Sequence, residues 1–127
     1  MKYLTFDEIV HIHRRMLEVF GGEDGMLSED ALENCVAQPM MSIFGIETSS
    51  SLWSKAATLL LCIARRHPFV DGNKRTAWAA AKIFLLLNGY RLTTTPEIGE
   101  STIIGVVLGT VDRENLADWI KTNSEPV

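Results

Sequence analysis

The sequence predicts an all-α protein with about six helices around one central buried helix. The chain has 127 residues, of which 46% are hydrophobic, and in most segments the apolar residues recur at helical spacing. Capping residues stand where these segments begin, and Gly, Pro or Asn-Gly stand where they end. Nothing reads convincingly as a sheet, although residues 90–95 suit a short extended piece. We expect a single domain over residues 1–127.

The first two predicted helices lie before residue 39. Thr5 is the expected N-cap of the first helix, with Glu8 completing a capping box. Its apolar side consists of Phe6, Ile9, Val10, His13, Leu17 and Phe20. Glycines at 21–25 end this helix, because they favour left-handed and loop conformations. Ser28 caps the second helix, and Pro39 stops it. Its inward side consists of Leu32, Cys35 and Val36.

Residues 39–51 have a different composition, since they mix Met, Ile and Phe with Gly and a run of Ser. This mixture favours a loop or a short irregular flap. If its apolar side chains are exposed, they form a docking surface. A loop packed onto the core fits the composition equally well.

The third and fourth helices form the apolar centre of the sequence. The third spans 52–66 and must end at His67, because Pro68 excludes α geometry at the residue before it. Its buried stripe consists of Leu52, Ala56, Leu59, Leu60 and Ile63. The fourth runs from about Asn73 to Asn88 and is apolar nearly all round, with Lys82 as its one internal charge. Such a helix is expected in the middle of the bundle.

Two further helices complete the prediction. Pro96 opens the fifth helix, which continues to Leu108, since proline fits the first turn of a helix. Asp112 caps the last helix. The inward side of that helix consists of Leu116, Trp119 and Ile120.

Charge and hydropathy exclude some classes of function. The net charge of -4 argues against broad nucleic-acid binding, which needs a basic face, so we expect no direct contact with nucleic acid. The N-terminus carries Asp7 and Glu8 and no apolar signal-peptide core. The longest apolar stretch, 76–87, is shorter than the ~20 residues that cross a bilayer. We therefore expect a cytoplasmic protein without membrane association.

Some side chains that bind metals in other proteins have ordinary interpretations here. Cys35 and Cys62 form no CxxC pair, and we expect two reduced, buried thiols rather than a disulfide. His13 lies on the apolar side of the first helix and is interpreted as a satisfied core histidine. His11 is two residues away and points to a different face, so the two cannot share a metal from that helix.

The segment RRHPFVDGNKRT, residues 65–76, places turn-forming and charged residues between two apolar helices. Free backbone N–H groups at the start of the fourth helix form an anion site, which Gly72 lets a phosphate approach closely. Lys74 and Arg75 add cations in a first turn, where they oppose the helix dipole, and Arg65 and Arg66 lie just upstream. A local rule broken in this way indicates function, here the binding of a polyphosphate.

Two further side chains of this segment predict chemistry. Asp71 would supply an oxygen ligand to Mg²⁺, which proteins hold with one or two carboxylates plus substrate phosphates. His67 would accept a proton from a hydroxyl nucleophile near neutral pH. A base, a metal ligand and a phosphate cradle within 67–75 predict phosphoryl or nucleotidyl transfer. Each feature taken alone is more common as a helix end, a turn or a solvated face.

The stretch HPFVDGNKR, 67–75, resembles the signature of the Fic/Doc superfamily. FGGEDGML at 20–27, FLLLNGY at 84–90 and LADWI at 116–120 resemble its death-on-curing (Doc) branch, so the resemblance covers essentially the whole chain. It implies that His67 activates a target hydroxyl, that Asp71 binds Mg²⁺ and that Phe69 packs into the core and orients the loop. The residues implied to bind the phosphates of ATP are Gly72, Asn73, Lys74 and Arg75.

The position of Lys74 distinguishes two subtypes. Nucleotidylating Fic enzymes typically have a second glycine there, whereas Doc has lysine. The resemblance therefore implies a toxin of a type II toxin–antitoxin system. It would be a kinase that transfers the γ-phosphate of ATP to a threonine or serine of a translation factor, expected to be elongation factor Tu. Pro68 and Gly72 are Fic-like choices, so AMP transfer remains an alternative. A non-catalytic binding module is another, although no expected site residue is missing.

The resemblance also implies regulation. Doc toxins are neutralised by a small Phd-like antitoxin, whose C-terminal segment folds into a groove near the active site. Self-inhibited Fic proteins instead carry Ser/Thr-x-x-x-Glu-Gly/Asn in their own chain, and TVDREN at 110–115 fits this pattern. Capping of the last helix by Asp112 is the interpretation that we favour for this segment.

Overall fold

The computed structural model describes the backbone of residues 1–127 and all side chains except that of Pro96. Its described backbone contains six α-helices, which confirms the all-α prediction. They are α1 (Phe6–Phe20), α2 (Glu29–Ala37), α3 (Leu52–Arg66), α4 (Asn73–Leu87), α5 (Pro96–Leu108) and α6 (Arg113–Thr122). Among the described residues, no helix combines the length and the hydropathy needed to cross a bilayer.

The short extended segments form two antiparallel pairs. The strand β1 (Ser42–Ile43) pairs with β2 (Ile46–Glu47), and β3 (Tyr90–Leu92) pairs with β4 (Ser124–Pro126). The first three residues of the predicted extended piece are therefore a strand, but its partner from the C-terminal segment was not predicted. Pairing between residues so distant in sequence leaves no local signal.

The helices begin where the capping residues predicted. Thr5 Oγ1 accepts the Glu8 N–H, and Glu8 Oε1 accepts the Thr5 N–H in return. Ser28 accepts a backbone N–H at the start of α2, and Asp112 does so at the start of α6. These caps were predictable because each one joins residues only three apart in the chain.

The central buried helix is α3, so its prediction as the fourth helix was wrong. Every residue of α3 from Lys55 to Ala64 is buried, and α3 contacts α2, α4, α5 and α6. The fourth helix, α4, buries one side, while its residues 82, 83, 86 and 87 are exposed. Apolar composition alone did not distinguish a helix surrounded by protein from one that lines an apolar cleft.

Residues 38–49 are more ordered than predicted. A 3₁₀ turn at Gln38–Met40 leads into the β1–β2 hairpin, whose tip residue Phe44 is 100% exposed. The alternative of a loop packed on the core is thus wrong at this tip. Lys55, buried in α3, donates from Nζ to the Pro39 carbonyl (2.8 Å) and to Glu47 Oε1 (3.2 Å). The hairpin is therefore anchored about 18 Å along α3 from His67.

The expectation of two reduced cysteines was also wrong, although their burial was predicted correctly. Cys35 of α2 and Cys62 of α3 form a disulfide, with their Cα atoms 5.4 Å apart. The two residues lie 27 positions apart in the sequence. Only the packing of α2 against α3 brings them to a separation typical of disulfides.

Candidate active site

A cleft of about 1010 Å³ lies between the outer side of α4, the end of α1 and α5. The structure brings all six predicted site residues together at one end of this cleft. They are His67, Asp71, Gly72, Asn73, Lys74 and Arg75. A volume of this order suits a small-molecule ligand.

His67 stands at the point where α3 ends, as predicted. Its side chain is exposed, and its backbone lies in the left-handed region at φ 49° and ψ 61°. The rule for a residue before proline favours an extended conformation instead. The difference has a tertiary cause, because the Pro68 carbonyl accepts N–H groups from Leu27 (2.8 Å) and Ser28 (3.1 Å). These bonds hold the chain in the turn that presents His67.

The segment after α1 supports the loop that contains His67. Val70 donates its N–H to the Gly25 carbonyl at 2.9 Å, and Met26 and Phe69 form an antiparallel bridge. Residues 25–28 and 68–70 therefore lie side by side. The glycines at 21–25 were predicted only to end a helix, but their segment is also part of the site.

Phe69 anchors the middle of the loop in the core, as predicted. Its side chain is 1% exposed. The Asn73 side chain closes the turn around it, since Oδ1 accepts the Phe69 N–H (2.9 Å) and Nδ2 donates to the Phe69 carbonyl (2.8 Å). Asn73 is itself buried. A phosphate at this site would therefore be contacted by its backbone N–H at the start of α4 and not by its side chain.

The start of α4 has the geometry of an anion site. Gly72 is the N-cap at φ 78°, and the first backbone bond of the helix runs from the Thr76 N–H to the Gly72 carbonyl. The N–H groups of residues 73–75 precede this bond and are the ones that a helix leaves free. Lys74 and Arg75 are exposed beside them. This end of the cleft therefore has the features by which helix N-termini bind phosphate groups in other proteins.

The cations around this site differ from the predicted set. Arg65 does not join them, because its guanidinium donates to the carbonyl of Val106 in α5 and to that of Val111, which follows α5. Arg75 stacks over the ring of Phe20, with 4.1 Å from Cζ to the ring centroid. Phe20 belongs to the predicted apolar side of α1, but it is 55% exposed. Lys82 also lines the cleft, farther along α4.

The Asp71 carboxylate is exposed and oriented by backbone donors. Oδ1 accepts the Gly72 N–H at 2.8 Å, and Oδ2 accepts the Glu23 N–H at 3.2 Å. Among the described residues there is no group of three or more His, Cys, Asp or Glu side chains that could bind a metal. A single carboxylate nevertheless fits Mg²⁺, whose other ligands are commonly phosphates and water. Asp71 is therefore the side chain that would hold this ion.

The other end of the cleft is lined mainly by apolar side chains, although Lys82 and Glu100 also belong to the lining. The Trp78 indole packs on Gly99 of α5, where an added Cβ would lie 2.7 Å from its Cζ2. Ile83, Leu86 and Ile104 are partly exposed along the walls. This lining accounts for the apolar outer side of α4. The sequence did not predict this cleft, because its opposite wall is formed by a different helix, α5.

The segment at 110–115 caps a helix, as we favoured. Asp112 Oδ1 accepts the Asn115 N–H at 2.8 Å at the start of α6. Glu114 is exposed, and the described lining of the cleft does not include it. Nothing in this arrangement places the Glu114 carboxylate at the anion site.

Known proteins resemble this chain across the loop and beyond it. The family model described as Fic/DOC family matches residues 3–85. A protein of Mycolicibacterium smegmatis named Toxin Doc is 49% identical over 73 residues, which is 58% of this chain and 56% of that protein. A protein of Escherichia phage P1 named Protein kinase doc is 29% identical over 121 residues, which is 95% of this chain and 94% of that protein. The match thus spans just over half of the first relative and nearly all of the second.

Proposed function

Since this chain belongs to the Fic/Doc family, we propose that it is the toxin of a toxin–antitoxin pair and acts as an ATP-dependent protein kinase. It transfers the γ-phosphate of ATP to a threonine or serine hydroxyl of a translation factor, with elongation factor Tu as the expected target. The observation that carries this proposal is Lys74 at the free helix end of an otherwise complete Fic loop. The relative named as a protein kinase aligns with nearly the whole chain and supports the same reading.

In the proposed reaction, His67 removes the proton from the target hydroxyl. The hydroxyl oxygen forms a bond to the γ-phosphorus, and the bond from that phosphorus to the bridging oxygen breaks, so that ADP leaves with the electron pair. The free N–H groups at the start of α4, with Lys74 and Arg75, hold the phosphates and stabilise their negative charge. Bound Mg²⁺ at Asp71 would neutralise further phosphate charge.

Lys74 bears on which phosphate reacts. Its side chain stands in the first turn of α4, beside the anion site that Gly72 opens. A glycine at that position would leave more room for the phosphates, whereas a lysine side chain restricts how ATP lies. We infer that this restriction presents the γ-phosphate to His67. AMP transfer to the same hydroxyl remains the competing reaction, because Gly72 is the Fic-like choice.

The proposal includes a Phd-like antitoxin as partner. The apolar end of the cleft adjoins the anion site, and Ile83, Leu86 and Ile104 are 36%, 48% and 48% exposed there. An apolar segment of the antitoxin would cover these side chains and lie next to His67. The relative named as a toxin supports a partner of this kind.

Labelled ATP tests the reaction. With Mg²⁺ and elongation factor Tu, the γ-labelled nucleotide should label the factor, and the α-labelled nucleotide should not. His67→Ala should abolish labelling, while His11→Ala, an exposed change on α1, should leave it intact. Label from the α position alone would replace the kinase by AMP transfer. If His67→Ala still arrests growth on induction, a binding module replaces both reactions.

A further inference from the structure

His13 is a buried histidine whose contacts lie in the active-site loop. It is 2% exposed, and its ring stacks on Phe69 with 3.8 Å between centroids and 5° between planes. Its Nε2 lies 2.8 Å from the carbonyl oxygen of Asp71. A carbonyl only accepts, so Nε2 carries the hydrogen and donates it. His13 is thus a satisfied core histidine, as predicted, and the group that satisfies it belongs to Asp71.

The loop after α1 holds the same residue from its other side. The Glu23 N–H donates to Asp71 Oδ2 at 3.2 Å. Gly22 adopts φ +123°, and a Cβ added there would lie only 2.9 Å from that oxygen. The carboxylate therefore occupies space that is open because residue 22 has no side chain. With the Gly72 N–H on Oδ1, all three oxygens of Asp71 accept a hydrogen bond.

We propose that His13, Gly22 and Glu23 form a clamp that positions Asp71 for metal binding. His13 fixes the backbone at Asp71, and the Gly22–Glu23 segment fixes its carboxylate. The three are positioning residues, because they act through Asp71 rather than on the substrate. This inference rests on the proposed function, because the role of Asp71 as a metal ligand is taken from it. The clamp itself can be measured without any transfer reaction.

A purely structural role would not require these contacts. An apolar ring would fill the space of His13 and stack on Phe69 without the cost of burying an imidazole. The loop has a reason to be held, because it turns at Gly72 (φ 78°) and because His67, which is not a glycine, lies in the left-handed region at φ 49°. Backbone of this kind persists only when the surroundings over-determine it. The clamp supplies that constraint at the residue between the two.

Two substitutions separate the hydrogen bond of His13 from its packing. His13→Phe keeps the stacked ring and removes the donor, whereas His13→Gln keeps an N–H donor and removes the ring. We expect His13→Phe to raise the Mg²⁺ concentration for half-maximal γ-phosphate transfer about 10–100-fold, a range typical for groups that orient a metal ligand. His13→Gln should need much less Mg²⁺ than His13→Phe, even if its melting temperature is the lower of the two. His11→Phe serves as the exposed control.

Amide hydrogen exchange measures the clamp without a ligand. In His13→Phe, the Gly72 and Glu23 N–H groups that bond the Asp71 carboxylate should exchange faster, while core amides of α3 should not. Substitutions at Gly22 and Gly21 provide a second, independent test with its own control. Gly22→Ala should disturb the same two amides, whereas Gly21→Ala, also at positive φ but with nothing within 4 Å of an added Cβ, should cost stability only.

The outcomes distinguish the inference from the proposed function. If the Gly72 and Glu23 amides are unchanged in His13→Phe and in Gly22→Ala, the clamp is refuted, whatever the activity. The clamp is also refuted if the loss of transfer activity in His13→Phe and His13→Gln simply follows the fall in their melting temperatures. If the unmodified enzyme transfers no label from ATP to any protein, the proposed function fails. The amide exchange rates would still decide whether Asp71 is clamped.

Discussion

His67 combines the side chain that we propose as the base with an unfavourable backbone conformation. At φ 49° it adopts a conformation that costs a non-glycine residue about 1–2 kcal/mol. The cost is met by the bonds to the Pro68 carbonyl and by the burial of Phe69. Residues held in this way are concentrated at active sites. The backbone conformation of His67 therefore agrees with a role in chemistry.

Substitution of His67 should separate stability from activity. His67→Gly and His67→Ala both remove the base, so both should lose γ-phosphate transfer. Glycine accepts the left-handed region freely, so His67→Gly should be more stable than His67→Ala by about 1 kcal/mol, or about 4 °C in melting temperature. Thermal unfolding of the two variants checks this order. Equal melting temperatures would mean that the loop relaxes out of the left-handed region.

At the scale of elements, the positions where helices begin were easier to predict than the contacts that helices make with other segments. Thr5, Ser28 and Asp112 cap their helices through contacts with residues three positions away. Such contacts are local, so sequence alone identifies them. The burial of Lys55 near the start of α3 was missed, because its partners, Pro39 and Glu47, come from the preceding segment, residues 38–49.

The element α6 gives a test of the self-inhibitory pattern. Glu114→Gly should leave γ-phosphate transfer within about twofold of the unmodified enzyme, because Glu114 is exposed outside the cleft and exposed changes have small effects. Asp112→Ala, which removes the cap of α6, should lower stability by about 1 kcal/mol. Initial rates and thermal unfolding of both variants distinguish the roles. A large gain of activity in Glu114→Gly would instead support the hypothesis that this segment inhibits the enzyme.

At the scale of the whole molecule, contacts between distant segments determine the site. The disulfide joins α2 to α3, and residues 25–28 pair with residues 68–70. Both contacts brace the loop that ends α3. Neither has a signature in the sequence, since cysteine spacing and glycine content are compatible with several arrangements.

The disulfide should be detectable in solution. Protein purified without reductant and then denatured should expose no reactive thiol, and prior reduction should release the thiols of Cys35 and Cys62. Closing a loop of 27 positions restricts the unfolded chain, so reduction should lower the free energy of unfolding by about 3.5 kcal/mol. Thiol titration and denaturant unfolding measure both effects. A Cys35→Ser/Cys62→Ser variant should show no change on reduction, and two free thiols in unreduced protein would contradict the pairing.

The sequence by itself determined the helices, their caps and the set of residues at the loop, because these depend on short-range periodicity and on the spacing within HPFVDGNKR. Only the tertiary structure decided which helix is central, how the cysteines pair and what holds Asp71. His13 and Gly22 illustrate the reason. They lie 58 and 49 positions before Asp71, and nothing local in the chain indicates that they meet it. The packing of α1 against the start of α4 brings them there.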